Sequence, residues 1–361
     1  MQLDMHYYGV FALALAAGLK HQAAHIIATA SQFVDDNGNK GHVVFGDGGR
    51  IDFEATAHHT THLKNIDEED QRQIWVPFHF LPGNEGKSFL ECLVCRKNSA
   101  IAREMVEHNL SHMNKPFALE LAGITAHVYA DTFSHYGFSG VSDNENKIDN
   151  DSFDLGAVKP SIKKYIGDKA IAFLENYEVE CGAMDHILSY GAEKLSGALG
   201  HGAALTYPDR PYLVWSFVYD KSNRRCETRN NPRTFLEACE ALHEFFRKVA
   251  EARPEFSEKT FTKFKQIEKP ITQILIRQAK KIGRIHAWKT AIKEEIFSTP
   301  YSSRIPTYMG DKWLKEADAL NNTTRSKKAL DMPLYRFYQA AALHRIYVLR
   351  TLLPAHGLVV A

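Results

Sequence analysis

Between positions 5 and 34 apolar residues recur at helical spacing without a proline, and only Gly18 interrupts them, so the pattern predicts two helices forming a hairpin. The stretch GHVVFGDGGRIDF that follows alternates around Asp47, Gly48 and Gly49, which is the chemistry of a tight β-hairpin. Residues 71 to 86 are aromatic and end at Pro82 and Gly83, which predicts a loop or short strand. Helical spacing returns over 88–112 and 114–136, the second run stopping at Gly137. SGVSDNENKIDNDS then reads as a surface loop, 158–199 as helices broken near Tyr177, and 200–215 as irregular and aromatic. From Pro232 to the end the spacing is helical almost throughout. The expected fold is mainly α: a helical bundle with a small β-ribbon and an additional C-terminal helical region. Residues 1–250 are expected to form the core and 251–361 an extension packed on it.

Composition narrows this little. Hydrophobic residues make up 44% and charged residues 24%, ordinary globular values that exclude a disordered chain. Forty-four Lys+Arg against 43 Asp+Glu leave +1, so no global basic field draws in nucleic acid. Five cysteines with a single CxxC pair, Cys92 and Cys95, do not make a disulfide framework and read as reduced thiols. The apolar run from Tyr7 to Leu19 follows MQLDMH, which has Asp4 and no Lys or Arg, so it reads as a retained helix rather than a signal peptide. With no run long enough to span a membrane, the chain is expected to be cytoplasmic by default, with delivery by a specialised secretion machine as the alternative.

Histidine changes the picture. Twelve of the 18 lie at or before position 135, concentrating the side chain that binds metal at neutral pH in the first third of the chain. Within AHVYADTFSHYGFSG, His127, Asp131 and His135 are four residues apart and project from one helix face, a donor set suited to Zn²⁺ whose central carboxylate can bridge two ions. The plainer reading is a polar helix stripe. Upstream, His6 begins the first helix beside Asp4, Asp35 and Asp36 end the second, and His58, His59 and His62 follow the ribbon. His79, among Phe78, Phe80 and Pro82, reads as a wall residue. The pairs His21/His25 and His108/His112 read as surface residues.

This order resembles the zinc-dependent phospholipase C superfamily, which also contains single-strand-specific zinc nucleases. Its members use a histidine on the N-terminal helix, an aspartate thirty to forty residues on, a further histidine, and then a helical HxxxD followed by another histidine. His6, Asp35 or Asp36, His58 or His59, His127, Asp131 and His135 match in order and type. DMHYYG, FVDDN, WVPFHFLPGNEG, ITAHVYADTFSHYGFSG and GHGAALTYPDRPY resemble, more closely, an uncharacterised bacterial family over about the first 250 residues. The superfamily's N-terminal tryptophan ligand has no counterpart in MQLDMH, where Asp4 offers an anionic substitute. Its late HxxxE pair is also missing, which leaves His201 with Asp209, or His186 with Glu193, for a further ion.

The resemblance implies one to three Zn²⁺ ions and hydrolysis of a phosphodiester by a metal-activated water. The implied metal ligands are His6, Asp4, Asp36, His58, His59, His127, Asp131, His135 and His201. Asp35, Asp36 or Asp52 is the general base. Arg210 is a candidate for gripping a phosphate. Phe138, with Trp75, Phe78, Phe80, Phe133, Tyr136 and Trp215, is a candidate for an apolar rim where these residues flank the site. Phospholipid is favoured over nucleic acid as substrate, with peripheral membrane contact, and a nuclease of the same fold is the first alternative. Lys280, Lys281, Arg284, Lys289 and Lys293 read as a solvated helix face, with docking on anionic lipid or nucleic acid as the rival. The alternative from another class is a nonenzymatic helical interaction protein whose zinc only holds loops together. An HD-type phosphohydrolase is disfavoured, since Asp185 and His186 stand in the reverse order.

Overall fold

A computed structural model describes residues 1–38, 40–58, 69, 71–141, 147–149, 152–169, 204, 206–220, 223–297, 305–319 and 325–361. A π-helical opening, Asp4–Gly9, runs into α1 (Val10–Ala16), and α2 (His21–Asp36) returns alongside. Gly18 turns the corner at φ +89, which suits a residue without a Cβ. The ribbon pairs β1 (His42–Val44) antiparallel with β2 (Arg50–Asp52).

The segment expected to be extended is helical for its first half. A π-helical stretch, Gln71–Trp75, passes into the short α3 (Val76–Phe78). Pro77 lies in the first turn of α3, where its missing N–H costs nothing, so it does not break the helix. The predicted helix over 88–112 is instead two. In α4 (Phe89–Cys92) Ser88 and Glu91 form a capping box, and in α5 (Ala100–Ser111) Ser99 accepts from the Ala102 N–H. The residues between them bridge to the chain around Pro82 and Ser139.

Every residue of α6 (Ala118–Ser134) is buried, the mark of a central helix. Around it pack α2, α5, α7 (Asn231–Ala252) and α11 (Pro333–Tyr347), after α8 (Phe264–Leu275), α9 (Lys281–Lys293) and α10 (Gly310–Asp318) in the chain. Phe33 of α2 meets Phe337 of α11 edge to face at 4.9 Å, and one apolar cluster runs from Met1 to Val360. A smaller cluster forms around Phe138, Trp215 and Phe217, against a sheet in which β4 (Val214–Ser216) lies between β3 (Asp154–Leu155) and β5 (Arg229–Asn230). Within the predicted 158–199 span, residues 160–169 are helical, and 170–199 lie outside the described residues. The protein is thus mainly helical with small antiparallel sheets. Among the described residues no helix is long and apolar enough to cross a membrane.

The closest helix contact positions the site. A Cβ on Gly123 would fall 2.5 Å from both the Ala30 side chain and the Ile27 carbonyl, so only glycine lets α6 lie this near α2. Gly123→Ala is expected to destabilise the fold by about 1–3 kcal/mol through overpacking, read as a lower urea midpoint with an unchanged slope.

Candidate metal centre

Asp131, three turns into α6, is the hub. The stretch before α1 brings His6 and the α-amino group of Met1 to it, and the turn after α3 brings His79. The C-terminal end of α2 brings Asp35, His135 caps α6, and the turn at 206–210 brings Asp209. The Met1 nitrogen donates to Asp131 Oδ1 at 2.7 Å and lies 3.2 Å from Asp209 Oδ1. His6 Nε2 is 3.2 Å from Asp131 Oδ1, and its ring stacks on that of His127 at 3.9 Å. Around Asp131 Oδ2 stand His127 Nε2 at 3.2 Å and the Nδ1 atoms of His79 and His135, each at 3.5 Å.

Main-chain carbonyls fix the far nitrogens of His127 and His79, and in His135 the same Nδ1 that faces Asp131. His127 Nδ1 is 2.8 Å from the Ser31 carbonyl, His79 Nε2 is 2.8 Å from that of Thr56, and His135 Nδ1 is 2.9 Å from that of His79. A carbonyl only accepts, so each of these nitrogens carries the proton and the opposite nitrogen of each neutral ring presents a lone pair. His127 Nε2 and His79 Nδ1 therefore face one another at 3.3 Å, two lone pairs when both rings are neutral, with Asp35 Oδ1 at 3.8 and 3.9 Å. Asp131 Oδ2 and both nitrogens of His6 lack any hydrogen bond although fully buried. Such an array of inward acceptors is satisfied by a shared proton or by a bound cation.

Two overlapping groups have donor atoms within 4.8 Å of one another: His6, His127 and Asp131; and Asp35, His79 and His127. The nitrogen and carboxylate donors fit Zn²⁺. Charge is balanced accordingly. Burial alone would push the Asp131 carboxyl up, but His135, the Met1 ammonium, His127 and His6 hold it well below the usual range. Burial opposes the charge on the Met1 amine too, yet Asp131, Asp209 and Asp35 carry its pKa up to about 11. His6, buried beside His127 and that ammonium, is held neutral well below its ordinary value. Asp35 is pushed up by burial, although 31% of its side chain reaches solvent.

The profile of a family of unknown function, DUF6765, matches residues 1–352. The chain belongs to that family. No curated protein and no solved structure matches it.

Of the residues the sequence singled out, this DUF6765 chain brings His6, Asp35, His127, Asp131 and His135 together. Asp36 is exposed, its Oδ2 within 3.3 Å of Gln32 Nε2. Asp4 turns to the opposite side of its helix, where Arg284 of α9 holds both its oxygens at 2.7 and 3.0 Å. Asp52 is exposed on the ribbon and paired with Arg50 at 2.6 Å. His58 is buried but belongs to neither donor group. His59, His62 and His201 lie outside the described residues.

His79 corrects the sequence reading: expected to be a wall residue, it is one of the inward-facing imidazoles, because the helical turn before it aims the ring at α6. Asp209, weighed only as a partner for His201, lies with its Oδ1 3.1 Å from His135 Nε2. The Met1 amine carried no side-chain signal at all. Of the aromatics weighed for an apolar rim, Phe78, Phe80, Phe133, Phe138 and Trp215 are buried, Phe138 stacking on Phe217 at 5.8 Å, while Trp75 and Tyr136 are half-buried. Arg210 is only 2% exposed and leans on Thr206 and Tyr212, with no carboxylate partner among the described residues.

Proposed function

We propose that the chain is a zinc-dependent phosphodiester hydrolase of the phospholipase C-like kind. The observation that carries this reading is the lone-pair contact between His127 and His79 beside the orphaned Asp131 Oδ2, a constellation that calls for bound cations. His6 and Asp131, with the Met1 amine once it gives up its proton, would hold one ion. Asp35, His79 and His127 would hold another. His135 and Asp209 offer donors for a third. When bound, Zn²⁺ supplies Lewis acidity toward phosphoryl oxygen and brings the pKa of water from 15.7 to about 7.

The chain's own residues supply the rest. The carbonyls of Ser31, Thr56 and His79 fix three imidazoles in the tautomer that faces inward, so the donors need no reorganisation. Asp35, a member of the second group that also reaches solvent, is placed to accept a proton from an incoming water. Arg210, buried with no carboxylate partner among the described residues and next to Asp209 in the chain, would take a phosphate oxygen. The order of ligands along the chain, with His79 in the position first given to His58 or His59, supports the likeness to zinc phospholipase C and its nuclease relatives. Phospholipid is the favoured substrate.

The test is hydrolysis of bis(p-nitrophenyl) phosphate by chelator-stripped protein before and after added Zn²⁺. No turnover when stripped and recovery with zinc is expected. Stoichiometric zinc binding without turnover of this diester, a choline phospholipid or a single-stranded oligonucleotide would leave the site a structural one.

A further inference from the structure

We infer that the face formed by residues 159–163 and 276–282 docks the protein on an anionic lipid surface, next to the metal centre. Two segments meet there: Gln278 accepts from the Lys159 N–H at 2.7 Å and donates to the Ala157 carbonyl at 2.7 Å. They present Lys159, Lys163, Arg277, Lys280 and Lys281, all exposed. None of the five has an ion-pair partner among the described residues, unlike Lys164, which Asp168 neutralises at 2.8 Å. From the middle of this charge protrude Ile282, 82% exposed, and Ile276, 52% exposed. On α7, by contrast, Arg233, Arg247 and Lys248 are each paired with a glutamate, Glu237, Glu251 and Glu107.

Charge and apolar exposure together select the occupant. Cations alone fit any polyanion, but isoleucine side chains at the tip gain only where hydrocarbon lies beneath the phosphates. A single-stranded nucleic acid would want open aromatic faces instead. The ring of Tyr165 is already covered by Lys280 and Arg210, each 5.2 Å from its centroid. That ring also makes the link to the centre. Lys280 at the face, Tyr165, and buried Arg210 form a chain of contacts, and the neighbour of Arg210 in sequence, Asp209, meets His135. A headgroup phosphate at the face thus lies one aromatic ring from the guanidinium proposed to grip the scissile phosphate. This step rests on the hydrolase reading, whereas the docking itself does not.

The test is co-sedimentation of the full chain, stripped of metal, with phosphatidylcholine vesicles with and without 30% phosphatidylserine. Binding to the anionic vesicles alone, weakened by 0.5 M salt, is expected. Each removed charge should cost about fivefold in partition, so Arg277→Gln/Lys280→Gln/Lys281→Gln should lose about 100-fold. Ile282→Ser, at a position too exposed to disturb folding, should weaken vesicle binding while leaving binding to an oligonucleotide unchanged. No sedimentation, equal binding to both vesicles, an unaffected triple variant, an Ile282→Ser variant that binds vesicles normally, or tighter binding to a single-stranded oligonucleotide would each overturn the inference. Because no metal is present and nothing is hydrolysed, failure here leaves the hydrolase reading standing, and failure to hydrolyse leaves this one.

Discussion

Asp131→Ala is expected to strip the protein of its metal and to lower phosphodiester hydrolysis by about 10³-fold or more. Its carboxylate faces His6 and the Met1 amine with one oxygen and His79, His127 and His135 with the other, so among the described residues it touches the most donors. The several kcal/mol of transition-state charge stabilisation that a bound ion supplies disappear with it, at about 1.4 kcal/mol per tenfold. The alanine variant also leaves the Met1 ammonium, fully buried, with Asp209 as its nearest anion at 3.2 Å. Thermal stability should therefore fall as well, by about 3–5 kcal/mol. Asp131→Asn keeps the shape and separates the two effects. It keeps an acceptor for the Met1 amine but not the charge, so it should lose metal and turnover while losing less stability than the alanine variant in the presence of chelator.

The second large effect is expected away from the donors. Arg284→Ala should destabilise the protein by about 3–5 kcal/mol, because it leaves the Asp4 carboxylate buried without a partner. Both side chains are almost wholly enclosed, at 1% and 2% exposure. Replacing both, as Asp4→Asn with Arg284→Met, should cost much less, since no uncompensated charge remains. Urea unfolding of the three proteins measures this directly. The pair also matters to the centre. Asp4 opens the helix that carries His6, two residues before it, and Arg284 ties that opening to α9, so the single variant should hold zinc more weakly than its stability loss alone explains.

The helices were legible where apolar spacing was sustained, as in α2, α6 and α7, and so was the ribbon, from Asp47, Gly48 and Gly49. The stretch at 71–78 was misread because a proline among aromatics suggests extended chain, and only the first-turn placement of Pro77 reconciles it with a helix. In the site, the spacing of His127, Asp131 and His135 was enough, since one helix fixes all three. The choice between Asp35 and Asp36 was not legible. It depends on the face of α2 that Gly123 draws toward α6, where Ser31 and Asp35, four residues apart, point inward and Asp36 points out. His79 was missed because its neighbours are apolar, and its ring finds the centre through a tertiary contact with the Thr56 carbonyl that local sequence does not encode. Asp4 was misjudged for a similar reason, its partner being 280 residues away.

Metal content per chain, measured by plasma mass spectrometry on protein purified without a metal-binding tag, tests the central claim most directly. Two or three zinc equivalents in the unaltered protein, falling below one in Asp131→Asn, is the predicted result. No stoichiometric metal in either protein after exposure to zinc would contradict it, and would mean that protons rather than ions hold the imidazoles of His79 and His127 together.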